Sequence, residues 1–284
     1  MISTAPLRVE RDGTHRFRGA STSGGLRIFG GQLLAQSVAA TAQCAEPGDE
    51  VRSVQAAFVA QGEAGKPIDY IVNPVHVGTR LNRWAVTAAQ RDTPIFTCSV
   101  STQRPSGEYV DGSAMPEVAP AELLPNAFDV FGDGTRPAEF GAAAELFDVR
   151  YAAPSPWEHF ARGQRAMFAQ AWFRPVAALP DDPAMQYSAL AYASDMTVFD
   201  SVLTSRGLCW GHGRMVIAAI EANISFHGPV RFDDWLLYVT ECGVQAGDRA
   251  GVTGRFFDMS GRVVASTSYE CFIRVFRAGA TPRP

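Results

Sequence analysis

Lysine is all but missing from this chain of 284 residues: Lys66 stands alone against 24 arginines. The arginines are scattered, and 25 basic against 29 acidic side chains, a net charge of −4, leave no field of one sign. Polyanions and anionic membrane surfaces are recognised through such fields, so no nucleic-acid partner is expected and the arginine bias carries no function. Long apolar runs are missing too, since no stretch reaches the roughly 18 continuous apolar residues of a membrane span. The opening MISTAPLRVERDGTHRF has no apolar stretch behind its first charges, and Thr281-Pro282-Arg283-Pro284 is neither a retention nor a peroxisomal address. No stable membrane insertion is expected. The five cysteines, Cys44, Cys98, Cys209, Cys242 and Cys271, are odd in number, far apart and without CxxC spacing, which argues against a disulfide framework or a metal site and for a reducing, cytoplasmic setting. No GxSxG elbow, P-loop or HExxH occurs either.

What is present is an ordinary globular composition, 46% hydrophobic and 19% charged, long enough to bury a sizeable core. After Gly24-Gly25, the residues Leu33, Leu34, Val38 and Ala42 recur at helical spacing and predict a helix from Gln32 to Cys44. From Val51 the pattern turns extended: VQAAFVAQ, IDYIVNPVHVG, RWAVTAAQR and IFTCSVSTQ, separated by Gly, Asp or Pro. Residues 105–144 are rich in Pro, Gly and acid with little periodicity and read as a surface linker. Beyond it FDVRYAAPSP and AQAWFRPVA read as strands and Leu190 to Leu203 as a helix. Four more strands follow, at IAAIEANISFHGP, WLLYVTECGVQA, AGVTGRFFDMS and RVVASTSYECFIRV. Phe58 and Phe226, Gly78 and Gly247, and Phe96 and Val264 match at a shared offset of 168 or 169 residues, the mark of a duplicated unit. The expectation is an α+β protein of two domains, 1–104 and 145–284, joined by a linker over 105–144. Each antiparallel sheet would wrap its own long helix, and edge-to-edge pairing would merge the two sheets and leave a ligand between the helices.

The segment RIFGGQLLAQSVAATA, Arg27 to Ala42, resembles the first-helix motif of type II acyl-CoA thioesterases, as does GKPIDYIVNPVHVGTRLNRWAVTAAQRDTPIFTCSVSTQ after it. LAYASD (Leu190 to Asp195), FHGPVRFDDWLLYV (Phe226 to Val239) and GRVVASTSYE (Gly261 to Glu270) resemble that family's second-domain signatures. The resemblance covers most of the chain outside the linker. It implies a double hotdog fold, hydrolysis of fatty acyl-CoA to free acid and coenzyme A, no metal or organic cofactor, and a homo-oligomer of dimeric or higher order. It also implies an attacking water held by an Asp, a Thr and a Gln. The Asp is present as Asp195, whereas Ala219 stands where the Thr is expected and Tyr269 where the Gln is expected. These departures open a second reading, a non-catalytic acyl-CoA binding or sensing protein, and a third reading is a hotdog hydratase. Tyr192-x-x-Asp195 is similar to the hydratase pattern, but Thr197 and Asp200 occupy the positions of its Asn and His, so hydration lacks its base.

Thioester hydrolysis needs a positioned water, a group to take its proton, and donors at the developing oxyanion. Asp195 is the candidate base. Read as lying in the first turn of a helix, with Ser194 beside it as a second capping residue, it would have its pKa lowered by the dipole and raised by an acyl tunnel, and the balance stays open. Tyr269 is the second catalytic candidate. Strand alternation places Glu221, Asn223 and Ser225 on the face of Ala219, making Glu221 and Asn223 candidate assisting residues. Phe29-Gly30-Gly31-Gln32 are candidate substrate-binding or oxyanion residues, because glycines at a helix start admit a ligand to free N–H groups. Pseudo-symmetry sets Gln32 against Asp195, so one active centre per chain is expected. His227 and His76 read as structural, and His212-Gly213-Arg214 as a plain loop or a contact for CoA phosphates.

Overall fold

These patterns resolve into one curled sheet and two central helices in a computed structural model that describes residues 4–21, 27–105, 112–130, 145–211 and 215–276. The first half holds β1 (Glu10–Arg11), β2 (Arg16–Gly19), α1 (Gly30–Ala42), β3 (Glu50–Phe58), β4 (Ile68–Val77), β5 (Leu81–Gln90) and β6 (Thr93–Gln103). A short α2 (Ala127–Val130) precedes the second half. That half holds β7 (Phe147–Tyr151), α3 (Pro156–Ala161), β8 (Phe168–Pro175), α4 (Pro183–Ala193), α5 (Asp200–Arg206), β9 (Met215–Phe226), β10 (Leu236–Ala246), β11 (Arg249–Phe257) and β12 (Val263–Val275).

The strands form a 12-stranded sheet in the order β1-β2-β4-β5-β6-β3-β9-β12-β11-β10-β8-β7. Read outward from its centre, the two halves repeat one order, with β3, β6, β5, β4, β2, β1 mirrored by β9, β12, β11, β10, β8, β7. Leu236 opens β10 168 residues after Ile68 opens β4, and Arg249 follows Leu81 by the same 168. The repeat is therefore topological and not a coincidence of apolar residues. The two sheets merge through β3 and β9, antiparallel with Val54 opposite Ile224 and Gln55 opposite Asn223. This is a double hotdog, with one continuous sheet in place of two separate ones.

The sheet wraps α1 and α4. Every residue of α4 from Met185 to Ala193 is buried, as are Gly31 to Val38 of α1. A helix buried all round gives no amphipathic stripe to read. That explains why the expected helix at Leu190–Leu203 is displaced. The true start lies upstream, where Asp182 accepts the Ala184 N–H at 3.1 Å and Pro183 occupies the first turn. The chain then turns after Ala193 before re-entering helix at Asp200.

The linker is more than a surface connector. Its described part, 112–130, covers the outer face of the second half and builds a second apolar cluster from Met115, Val118, Ala121 and Leu124 against Trp172, Trp235, Leu237 and Phe257. The Trp172 indole donates to the Ala119 carbonyl at 3.0 Å, and the guanidinium groups of Arg150 and Arg174 lie over the Trp235 ring at 5.0 and 4.4 Å. A segment without periodicity can still bury area when it packs on a sheet that has wide aromatic residues on its outer face.

The halves differ most between helix and next strand. In the first, residues 43–49 join α1 to β3; in the second, residues 194–214 join α4 to β9 and include α5. The candidate site lies on that longer connection.

Candidate active site

Asp195 sits just past the C-terminal end of α4, not in the first turn of a helix. Its own helix dipole therefore disfavours a negative charge. Compensation comes from the other half. The N-terminal end of α1 meets the C-terminal end of α4, and the Gly31 N–H donates to Asp195 Oδ2 at 2.9 Å. Asp195 is 8% exposed, and its Oδ1 has no hydrogen-bond partner. Burial pushes the carboxyl up from 3.8 to about 7, against the lowering by the Gly31 bond. Desolvation thus wins the competition that the sequence leaves open.

The acid lines a cavity of about 650 Å³ between the halves. Phe29, Gly30, Leu33 and Phe58 contribute from the first half, and Met196, Phe199, Trp210, Met215, Ile217 and Ala219 from the second. Exposed Arg27, Gln61 and Gly211 form its rim. The walls suit an apolar group, and the acid is placed to act on a polar end. Glycine is required at the contact: a Cβ on Gly30 would lie 2.7 Å from Asp195 Oδ2 and 2.9 Å from the Phe58 ring. Gly31 does not line the cavity, and its N–H is committed to Asp195.

Four candidate residues stand elsewhere. Tyr269 is buried behind the site. Ser194 Oγ donates to the Ala191 carbonyl at 2.8 Å, which leaves it to accept from the Tyr269 hydroxyl at 2.7 Å. The tyrosine therefore braces the residue before Asp195 and offers no donor to the cavity, and burial followed by the Asp195 charge holds its phenol well above the ordinary range. Glu221 and Asn223 lie on the opposite face of the sheet from Ala219. The ladder to β12 pairs Glu270 with Glu221 but Cys271 with Ala219, so Ile220 is a bulge that reverses the alternation. Beyond it Ala222 and Ile224 face the core, while Glu221 and Asn223 are exposed and Asn223 Nδ2 donates to Ser268 Oγ at 3.3 Å. Gln32, finally, is not the counterpart of Asp195, because it opens one helix while Asp195 follows the end of the other. Its amide donates to the Ala20 carbonyl at 2.5 Å and fastens the chain after β2.

Of the histidines, exposed His227 shares a 2.7 Å bond between Nε2 and Ser266 Oγ, and His76 is exposed near the end of β4. Residues 212–214, the possible phosphate contact, and Gly24-Gly25 lie outside the described residues. The sequence gives no sign of Trp210 in the cavity wall, and Asp200 enters it only as the residue in place of a hydratase base, not as the buried acid that holds the indole. An indole and an acid ten residues apart carry no local signal of their meeting.

Two hotdog units sharing one sheet, with a buried carboxylate in an apolar cavity at their junction, define a double-hotdog protein built for a ligand with an apolar group and a reactive polar end. Comparison with known proteins gives the family. Residues 143–272 match the family model described as acyl-CoA thioesterase, and residues 18–103 match the acyl-CoA thioesterase N-terminal domain. Acyl-CoA thioesterase 2 of Haemophilus influenzae is 28% identical over 277 residues, covering 94% of this chain and 95% of its own length. Human acyl-coenzyme A thioesterase 8 is 27% identical, with 88% of this chain and 81% of its own covered. Among solved structures, the TesB protein of Mycobacterium avium subspecies paratuberculosis superposes with a TM-score of 0.79 at 26% identity, covering 95% and 97% of the two chains. Acyl-CoA thioesterase II TesB2 of Mycobacterium marinum gives 0.77 at 27%, covering 97% and 99%. The chain belongs to the type II acyl-CoA thioesterase family. Among the described residues no helix is long and apolar enough to cross a membrane.

Proposed function

We propose that this chain hydrolyses fatty acyl-CoA to the free acid and coenzyme A, with Asp195 as the base. The observation that carries this is a carboxylate whose pKa lies near 7 and whose Oδ1 is unpartnered, in the wall of an apolar cavity. Asp195 takes a proton from water as the water oxygen bonds to the thioester carbon. The tetrahedral oxyanion then collapses, the C–S bond breaks, and the proton passes from Asp195 to the departing CoA sulfur. The positive end of α1 at Phe29 and Gly30 supports the oxyanion. Ala219 and Tyr269 leave fewer side chains on the water than a full Asp, Thr and Gln set, so the acid and the helix end carry the reaction.

Tyr269 acts through Ser194 as a positioning residue. Tyr269→Phe is expected to cost about 1–2 kcal/mol by thermal unfolding, since it strips a donor from a buried hydroxyl, and to lower turnover less than about tenfold. A loss as large as that of Asp195→Asn would place the phenol in the chemistry itself. In the same reading the chain comprises hotdog units 1–104 and 145–284 with 105–144 between them, acts in the cytoplasm, and assembles as a homo-oligomer.

The test is release of free CoA thiol from acyl-CoAs of short to long chain. Turnover supports the hydrolase. Binding without thiol release would overturn it in favour of an acyl-CoA binding protein.

A further inference from the structure

A second buried acid follows closely on the first. Asp200 opens α5 and is fully buried, with both oxygens engaged: Oδ2 accepts from the Tyr151 hydroxyl at 2.6 Å and Oδ1 from the Trp210 indole at 2.7 Å. Trp210 is tied again through its carbonyl, which accepts the Trp157 indole N–H at 3.1 Å. Trp157 meets the Tyr151 ring edge-on, with centroids 6.4 Å apart. The hydrolytic reading uses none of these side chains, yet Trp210 lines the same cavity as Asp195. The indole is half-buried and followed by exposed Gly211. A ring at such a boundary has several rotamers open to it, and a bond to a carboxylate selects one. Met196 and Phe199, on the segment between the two acids, line the cavity as well. One short stretch of chain therefore fixes the wall relative to the reacting acid.

We propose that Trp210, locked by Asp200, is the specificity-determining wall of the acyl cavity, admitting unbranched acyl groups and excluding those with branches or rings beside the thioester carbonyl. The inference rests on the hydrolase reading for its substrate class. A single methylene in an apolar pocket discriminates by about 10- to 200-fold, and an indole occupies far more space.

The experiment measures affinity for non-hydrolysable thioether analogues of butyryl-, isobutyryl- and phenylacetyl-CoA, alongside kcat/KM for the matching thioesters. Trp210→Ala is expected to raise the branched-to-linear and ring-to-linear ratios at least about tenfold. Asp200→Ala should shift them in the same direction by releasing the indole. Asp200→Asn should keep the wild-type ratios, because its amide oxygen accepts from Trp210 while its NH₂ donates to the Tyr151 hydroxyl oxygen. Ratios do not depend on the fraction of folded protein, and should Asp200→Ala fail to fold, the other two variants decide. A uniform weakening for all acyl groups in Trp210→Ala, or altered ratios in Asp200→Asn, would overturn the proposal. Wild type that binds the analogues but releases no thiol would remove the hydrolase reading and leave the wall testable by affinity alone.

Discussion

Asp195→Asn is expected to lower thiol release by at least about a hundredfold, the usual effect of losing a proton-transfer group, while making the protein harder to unfold at neutral pH. Both effects have one cause. The folded carboxyl titrates near 7 because it is buried, whereas the unfolded chain restores the ordinary value of 3.8. Between those values the folded state holds a proton that the unfolded state has lost, so stability falls as pH rises through the window and stays lost above it. The distance between the two values corresponds to at most about 4 kcal/mol. An amide is never charged and still accepts the Gly31 N–H, so the variant should melt several degrees higher near pH 8 and no higher near pH 4. The wild-type kcat/KM should rise with pH through about 7, as the base loses its proton, and level off. A variant that keeps its turnover would remove Asp195 from the chemistry. One that melts no higher at pH 8 would deny the carboxylate its desolvation.

Gly31→Ala is expected to be the most damaging single change for folding in this region. An added Cβ would sit 2.4 Å from the Tyr192 carbonyl oxygen and 2.5 Å from the Phe29 ring. The ring can turn, but the carbonyl belongs to the backbone of α4, so the two central helices must separate. Overpacking costs about 1–3 kcal/mol where side chains yield, and a backbone clash belongs at or beyond the upper end. Separation also draws the Gly31 N–H away from Asp195, so turnover should vanish even where folded protein remains. Gly30→Ala supplies the contrast. It presses on the Asp195 carboxylate and the Phe58 ring, both side chains, and should reduce turnover far more than melting temperature. Thermal unfolding and thiol release on the two variants separate the cases, and a Gly31→Ala protein as stable as wild type would refute the close helix crossing.

Most of the sheet is legible in the sequence, and less of the site. Strands such as IDYIVNPVHVG and WLLYVTECGVQA can be read because alternation and turn residues are local, and the shared offset exposes the duplication. The position of α4 is misread because full burial erases the helical stripe, although Asp182-Pro183 marks its start. The bulge at Ile220 is invisible for a similar reason: one extra residue in a strand changes no composition but turns Glu221 and Asn223 away from the cavity. Asp195 is identifiable through its motif, but its partner Gly31 lies 164 residues away. Such a contact exists only once two helices from different units have met.

The pairing of β3 with β9 also decides how the molecule behaves in a crowd. Each unit on its own would offer a long open strand, of nine residues in β3 or twelve in β9, to any passing chain. Joined, they consume each other, and the ribbon ends instead in β1, two exposed charged residues, and β7, five residues against which α2 rests. A foreign strand finds almost nothing to extend. The fusion that creates the cavity thus also guards against runaway self-association, and separating the units by mutation at the seam should cost solubility before it costs secondary structure.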